Sequence, residues 1–359
     1  MATRILPRPT TTHRAVKQTT SRFLSTTTSS SPSTPTTSPF APRHFLSIAD
    51  LTTPELTTLV HNASSHKSSI KSGHLPKQIA GALSTKTIPL IFSKRSTRTR
   101  VSSEAAITLM GGHPMFLGSQ DIQLGVNESL YDTSVVISSM TSAIIARVNG
   151  HEDVANMAKH SSVPVINALS DLYHPLQTIA DLQTLVEAFP ERKGDLAGLK
   201  IAWVGDANNV LFDLAIGCAK FNISVAVATP KGYEIPSFMK DIINKINPKT
   251  LSETTSPAEA VKSADVLVTD TWVSMGQEEE SKKRMAAFSG FQITEELARK
   301  GGAKEGWKFM HCLPRHQDEV DDEVFYNKGR SLVFDEAENR LWAAVSALEG
   351  FVVNKGKIV

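Results

Sequence analysis

Apolar runs and amphipathic stretches alternate along the chain in the pattern of an α/β protein. Thr87 to Phe92 is short and mostly apolar, which predicts a buried strand. After it, Val101, Ala105 and Leu109 recur at four-residue spacing, which predicts a helix with one apolar face, closed by Gly111-Gly112. Upstream, Ser47 to Thr52 leads into a helix from Pro54 to His66, with Leu56, Leu59 and Val60 inward. Downstream, strands are predicted at Met115 to Leu117, Ala143 to Ala146 and Val163 to Ala168, with a helix capped by Asn127 that carries Leu130, Ile137 and Met140. His174-Pro175 puts proline at the first position of the next helix, and Ile179, Leu182, Val186 and Phe189 trace its apolar stripe. That helix bridges two halves. The charged run from Glu191 to Asp195, just beyond Pro190, marks the boundary.

The second half repeats the alternation. Strands are predicted at Leu199 to Val204, Ile223 to Ala228, Val266 to Thr269 and Phe309-Met310, with helices at Asn208 to Phe221 and Pro236 to Ile246. A last helix, Glu338 to Val353, is expected to fold back on the first half. The predicted class is α/β, with two doubly wound parallel-sheet domains joined by bridging helices. The expected divisions are a leader at 1–40, domains at 43–178 and 190–335, and a C-terminal helix region at 336–359.

Composition narrows the function. A chain of 359 residues, 40% hydrophobic and 21% charged, can bury two ordinary cores. A net charge of +2 gives no argument for nucleic acid. The two cysteines, Cys218 and Cys312, are too few for a disulfide framework and fit a reducing compartment. No run of apolar residues is long enough to span a membrane. The first acidic residue is Asp50. Before it, Arg4, Arg8, Arg14, Lys17 and Arg22 are scattered among serines, threonines and prolines. That composition matches an organelle transit peptide, with cleavage expected between Arg22 and Pro42. A disordered tail without an address is the plainer reading.

Ser93 to Arg100 carries four cationic side chains and four hydroxyls in consecutive positions. It lies where a strand hands over to a helix N-terminus, and free N–H groups and the helix dipole there favour an anion. Arginine adds planar forks that match phosphate oxygens. Arg147 follows a strand directly, at the sheet edge where ligands bind, although strand-end arginines also serve as surface ion-pair partners. His174 and Gln177, three apart on a first turn, can point at one ligand, but a histidine before proline is also an ordinary cap. Gly205 to Asn209 lacks the second and third glycines of a dinucleotide fingerprint, which leaves a turn with an asparagine cap. Asp270 ends a strand and reads alone as a helix cap. Gln277 to Arg284 reads either as a lid or as a solvated helix. His311-Cys312-Leu313-Pro314-Arg315-His316 is an incomplete metal set, with no partner cluster elsewhere in the sequence, and a cysteine nucleophile is a further reading. Arg340 is placed to pair with Glu336 across one turn.

Ser96-Thr97-Arg98-Thr99-Arg100 resembles the carbamoyl-phosphate signature of the aspartate/ornithine carbamoyltransferases. His311-Cys312-Leu313-Pro314 and Asp270-Thr271-Trp272-Val273-Ser274-Met275-Gly276 resemble the ornithine branch, and the likeness runs from about residue 43 to about residue 355 in the family's order. The resemblance implies transfer of a carbamoyl group from carbamoyl phosphate to the δ-amine of L-ornithine, giving citrulline and phosphate, with no cofactor and no metal. It implies that the first domain holds carbamoyl phosphate through Ser96, Thr97, Arg98, Thr99, Arg147, His174, Gln177, Cys312, Leu313 and Arg340. Gln123 would reach a neighbouring subunit's phosphate, so the active sites would lie at the interfaces of a homotrimer. The second domain would hold ornithine through Asn209, Asp270, Ser274 and Met275. Arg98, His174, Asp270 and Cys312 would be the catalytic set. The leader then reads as an address to the mitochondrial matrix. An aspartate-using relative would need basic residues in the Asp270–Gly276 stretch, and a Rossmann oxidoreductase would need the missing glycines.

Overall fold

The computed structural model describes residues 41–119, 128–273 and 280–358. The leader at 1–40, and the expectations for Asn127, Gln123, Ser274 and Met275, lie outside the described residues.

Two parallel sheets carry the chain. The first is built from β1 (Thr87–Phe92), β2 (His113–Gly118), β3 (Ile144–Arg147) and β4 (Val165–Leu169), in the order β2-β1-β3-β4. Around it run α1 (Thr53–Lys71), α2 (Thr97–Leu109), α3 (Leu130–Met140), α4 (His151–His160) and α5 (Pro175–Ala188). The second sheet has β5 (Lys200–Val204), β6 (Ser224–Ala228), β7 (Leu251–Thr254), β8 (Val266–Val268) and β9 (Lys308–Met310), ordered β7-β6-β5-β8-β9. Its helices are α6 (Asn209–Lys220), α7 (Ser237–Ile246), α8 (Pro257–Val261), α9 (Ser281–Ala287), α10 (Glu295–Gly301) and α11 (Asp322–Phe325). The last helix, α12 (Val333–Leu348), runs into a wider turn at Glu349–Val353 and packs against α1, α2 and α5. Every strand pair within the sheets is parallel, and the central strands are buried on both faces, as their β-branched and aliphatic runs require.

Each sheet reverses its winding once. In the first the reversal lies between β1 and β3, and in the second between β5 and β8. Loops after those strands diverge and leave a crevice at the carboxyl ends. The basic loop follows β1, and Arg147 closes β3 beside it, with Ser93 N donating to the Arg147 carbonyl at 2.8 Å. The loop from Gly205 follows β5, and Asp270 lies just beyond β8.

Several helix faces differ from the sequence pattern. In α2 the buried positions are Ser102, Ser103, Ala106 and Ile107, whereas Val101 is 60% exposed. Small residues line most of the buried side beside Ile107, so α2 lies close to its neighbours and Val101 points outward. In α3 the inward side is Thr133, Ser134 and Ser138, and Met140 is exposed. Its cap is Ser129, whose Oγ accepts from Asp132 N at 3.0 Å. The edge strand β7 and the helices α4, α8, α10 and α11 have no counterpart among the elements read from the pattern.

An N-terminal segment completes the first sheet. Phe45 N donates to the Val165 carbonyl at 2.9 Å, and Asn167 N donates to the Phe45 carbonyl at 2.8 Å, so this segment lies along β4. Phe45 stacks on Phe351 with ring centroids 4.9 Å apart, and Arg43 Nη1 donates to the Gly356 carbonyl at 3.0 Å.

Candidate active site

A cleft of about 1380 Å³ opens where the two switch points face each other. Its first wall is the N-terminal turn of α2. Ser96 is the helix cap, its Oγ accepting from Thr99 N at 3.3 Å, and Thr97, Arg98 and Thr99 form the first turn. Their backbone N–H groups are those an α-helix leaves without internal acceptors. Arg98 lines the cleft. Arg100 does not: its Nε donates to Glu104 at 2.9 Å and its guanidinium lies 3.7 Å from the centre of the Phe116 ring.

Arg147 and Arg340 add two largely buried guanidiniums to this wall, 7% and 3% exposed. Burial, together with their cationic neighbours, brings each down to about 10. Two buried arginines beside the half-buried Arg98 repel one another, and a bound anion relieves that repulsion. The Nε atoms of Arg147 and Arg340 and Nδ1 of His174 are buried without a hydrogen-bond partner among the described residues. His174 stands at the start of α5 and caps nothing with its side chain. Burial, then the charges of Arg340, Arg147 and Arg98, hold it well below the usual imidazole range. It is therefore neutral at working pH, with one N–H to donate and one lone pair.

The opposite wall belongs to the second sheet. Gly205 has φ +149°, and a Cβ there would sit 2.9 Å from Thr269 Oγ1, so only glycine allows β5 to turn so close to β8. Asn208 caps α6, its Oδ1 accepting from Val210 N at 3.0 Å, while its Nδ2 donates to Asp270 Oδ2 at 2.7 Å. Asn209 Nδ2 donates to the Ser170 carbonyl at 2.5 Å, across to the first sheet. Arg284 of α9 is buried, so the solvated-helix reading of this stretch does not hold at this residue. Its Nη1 donates to Asp206 Oδ2 and to the Trp272 carbonyl, both at 2.9 Å.

Between the walls lies the turn after β9. Cys312 Sγ donates to Asp270 Oδ1 at 3.1 Å. Burial first, and then Asp270, push the Cys312 thiol well above its ordinary range, so it is a thiol and not a thiolate. Leu313 adopts φ +61°, with its N–H donating to His311 Nδ1 at 2.9 Å, and the peptide to Pro314 is cis. With Nδ1 accepting, His311 donates from Nε2 to Glu319 Oε2 at 3.0 Å. His316 also bonds Glu319, through Nδ1 at 2.8 Å. Both histidines of the apparent metal motif are thus directed at one carboxylate.

The structure brings Ser96, Thr97, Arg98, Thr99, Arg147, His174, Asn209, Asp270, Cys312, Leu313 and Arg340 to a single cleft. Gln177 stands one layer behind. It is 1% exposed, and its Oε1 accepts from Arg340 Nη1 at 2.6 Å. Arg340 pairs with Gln177 and Thr99 rather than with Glu336. Sequence reasoning missed Asn208, whose capping role hid its second contact, and Asp206, which had no pattern to mark it.

Fold and cleft together define a two-domain α/β protein whose first sheet gathers cations for a phosphate-sized anion and whose second offers a carboxylate for an amine. The family profiles agree. That of the aspartate/ornithine carbamoyltransferase carbamoyl-P binding domain matches residues 43–187, and that of the Asp/Orn binding domain matches residues 197–350. The chain belongs to the aspartate/ornithine carbamoyltransferase family. It is 68% identical over 339 residues to a protein of Aspergillus terreus named "Ornithine carbamoyltransferase, mitochondrial", covering 92% of this chain and 94% of that one. A crystal structure of a mitochondrial ornithine carbamoyltransferase from Coccidioides immitis superposes with a TM-score of 0.83 at 64% identity, covering 89% of this chain and all of that one. The Pyrococcus furiosus ornithine carbamoyltransferase follows at 0.80 and 41% identity, covering 88% of this chain and 98% of that one.

Proposed function

We propose that this chain is an ornithine carbamoyltransferase of the mitochondrial matrix, transferring the carbamoyl group of carbamoyl phosphate to the δ-amine of L-ornithine. The observation that carries the reading is the convergence of Arg98, Arg147 and Arg340 with neutral His174 on one wall, opposite Asp270 and Cys312. Names of relatives support the substrate and the compartment.

Carbamoyl phosphate sits with its phosphate on the first turn of α2, between Ser96, Thr97, Arg98, Thr99 and Arg147. The arginines neutralise the leaving phosphate. His174, as a neutral N–H donor, faces the carbamoyl oxygen with Arg98 and Thr99. These groups stabilise the oxyanion that forms when the amine adds to the carbonyl carbon. The Leu313 carbonyl accepts from the carbamoyl nitrogen, and Gln177 contributes through Arg340. Ornithine binds on the second wall, its α-carboxylate at Asn209 and its amino groups at Asp270. Ser274 and Met275, by the family resemblance, are further ornithine contacts in this proposal. The δ-ammonium has no lone pair until it loses a proton, and Asp270 with the Cys312 thiol orients the neutral amine for attack. The δ-ammonium first gives one proton to solvent; the C–N bond then forms, and as the tetrahedral centre collapses the C–O bond to phosphate breaks and the leaving phosphate takes the second proton from the nitrogen. Holding both reactants in one cleft replaces a bimolecular encounter by an aligned one.

The working unit is a homotrimer. An outward apolar face supports this reading: Tyr131, Val135, Val136 and Met140 on α3 are 41–69% exposed, with Met115 of the edge strand β2 also exposed. Gln123 of each subunit then serves its neighbour's phosphate.

The test is citrulline formation by the chain lacking residues 1–40, with ornithine and aspartate offered in parallel. The expected result is turnover with ornithine alone, reduced in Arg98→Ala by about 100-fold or more. Turnover with aspartate, or none with either amine from a folded chain, overturns the reading.

A further inference from the structure

Behind the cleft, where α5 meets α12, two carboxyl side chains lie side by side out of water. Asp181 and Glu336 are each 2% exposed, and both accept from the one Gln177 Nε2. Two adjacent carboxylates in such a place cannot both be ionised. Burial raises both, and the Asp181 charge raises Glu336 further, so the pair holds a proton at neutral pH. Gln177 Nε2 donates to Asp181 Oδ1 at 2.7 Å and to Glu336 Oε1 at 2.9 Å. The other Glu336 oxygen accepts from His311 N at 2.9 Å.

These contacts settle which way round the Gln177 amide lies. Each hydrogen of its NH₂ has a carboxyl acceptor, so its carbonyl oxygen must face the other way, toward the Arg340 guanidinium. A flipped amide would set an NH₂ against that cation and leave both carboxyls without their donor. The same Glu336 also fixes the backbone at His311, one residue before Cys312. One carboxyl pair thereby sets three members of the cleft: Arg340 through Gln177, and the Cys312 and Leu313 turn through His311.

We propose that Asp181 and Glu336, sharing one proton, are a positioning pair for carbamoyl phosphate. They lock the Gln177 amide so that it aims Arg340 at the carbamoyl group, and they tie that aim to the turn that carries Cys312. The inference rests on the activity proposed above. Neither carboxyl lines the cleft, and neither touches substrate.

The double variant Asp181→Asn/Glu336→Gln tests it. Two amides in place of the pair both donate and accept, so they hold the Gln177 amide in either orientation. The KM for carbamoyl phosphate is expected to rise about tenfold or more, as for loss of a charge-assisted hydrogen bond. The KM for ornithine should stay within about threefold, since the Glu336→Gln side chain keeps an oxygen for His311 N and Asn209 and Asp270 are untouched, and so should the inhibition constant of inorganic phosphate, since Ser96 to Thr99 and Arg147 are untouched. An unchanged KM for carbamoyl phosphate overturns the inference. So does an equal rise in all three constants, which marks a general loss of structure. Where the double variant does not fold, Glu336→Gln alone serves. It leaves a single oxygen to accept from both Gln177 and His311, and it should show the same selective rise, in smaller measure. An unselective or absent effect overturns the proposal there too. Absence of turnover in the unsubstituted chain would overturn the activity itself, and the inference with it.

Discussion

At the scale of single residues, the protein uses burial to choose protonation states. Cys312 is kept as a thiol by burial and by Asp270. Iodoacetamide at pH 8 should therefore alkylate it at least about tenfold more slowly than an ordinary thiol, read by mass spectrometry of the Cys312 peptide. Asp213 is a second case. Its Oδ1 accepts from Ser47 Oγ at 3.0 Å and from Ile48 N at 3.1 Å, joining α6 to the N-terminal segment. Burial raises its pKa from 3.8 to about 8. Between those values the native state keeps a proton that the unfolded chain has released, so this residue's contribution to stability falls as pH rises through that window, by on the order of 1 kcal/mol per pH unit. Replacing it by Asn removes the titration. Urea unfolding from pH 5 to pH 8 should show the parent losing stability relative to Asp213→Asn as pH rises, and a constant difference between them would refute the assignment.

At the scale of elements, the strands were the most legible part of the sequence. The runs at Thr87, Ala143, Leu199 and Ile223 lie in central strands buried on both faces, so apolarity alone marks them. The edge strand β7, Leu-Ser-Glu-Thr, has only half-buried and exposed positions, and its polar residues masked it. Helix faces were harder. Val101 and Ala105 of the predicted stripe point outward while Ser102, Ser103, Ala106 and Ile107 face inward, and a periodicity count cannot tell an apolar face that covers the core from one that does not. The site was legible where residue type and position coincide, as at Ser96 to Thr99, and illegible where a side chain works through another, as at Asp181 and Glu336. The pairing of the Phe45 segment beside β4 was also not foreseen. Phe45 itself, stacked on Phe351, is fully buried. Phe45→Ala should cost about 3–5 kcal/mol in denaturant unfolding, whereas removal of residues 1–40 should leave the melting temperature unchanged.

At the scale of the whole molecule, α12 joins the two halves of the site. It leaves the second sheet's end of the chain, crosses to α1, α2 and α5, and delivers Arg340 to Thr99. The outward face of α3 belongs to this scale as well. If the proposed trimer uses this face, Val136→Lys with Met140→Glu should lower the sedimenting mass to smaller species while leaving the circular dichroism of the chain intact. A trimer that persists would place the interface elsewhere. The bond from Arg43 to the Gly356 carbonyl has a kinetic side. It joins positions more than three hundred residues apart, and Phe45 with Phe351 does the same. The pairing of Phe45 with β4 needs only the first 167 residues, but its stacking on Phe351 and the Arg43 bond wait until the end of the chain has emerged. A newly made chain is thus late to fasten its N-terminal segment, which until then lacks both of these partners.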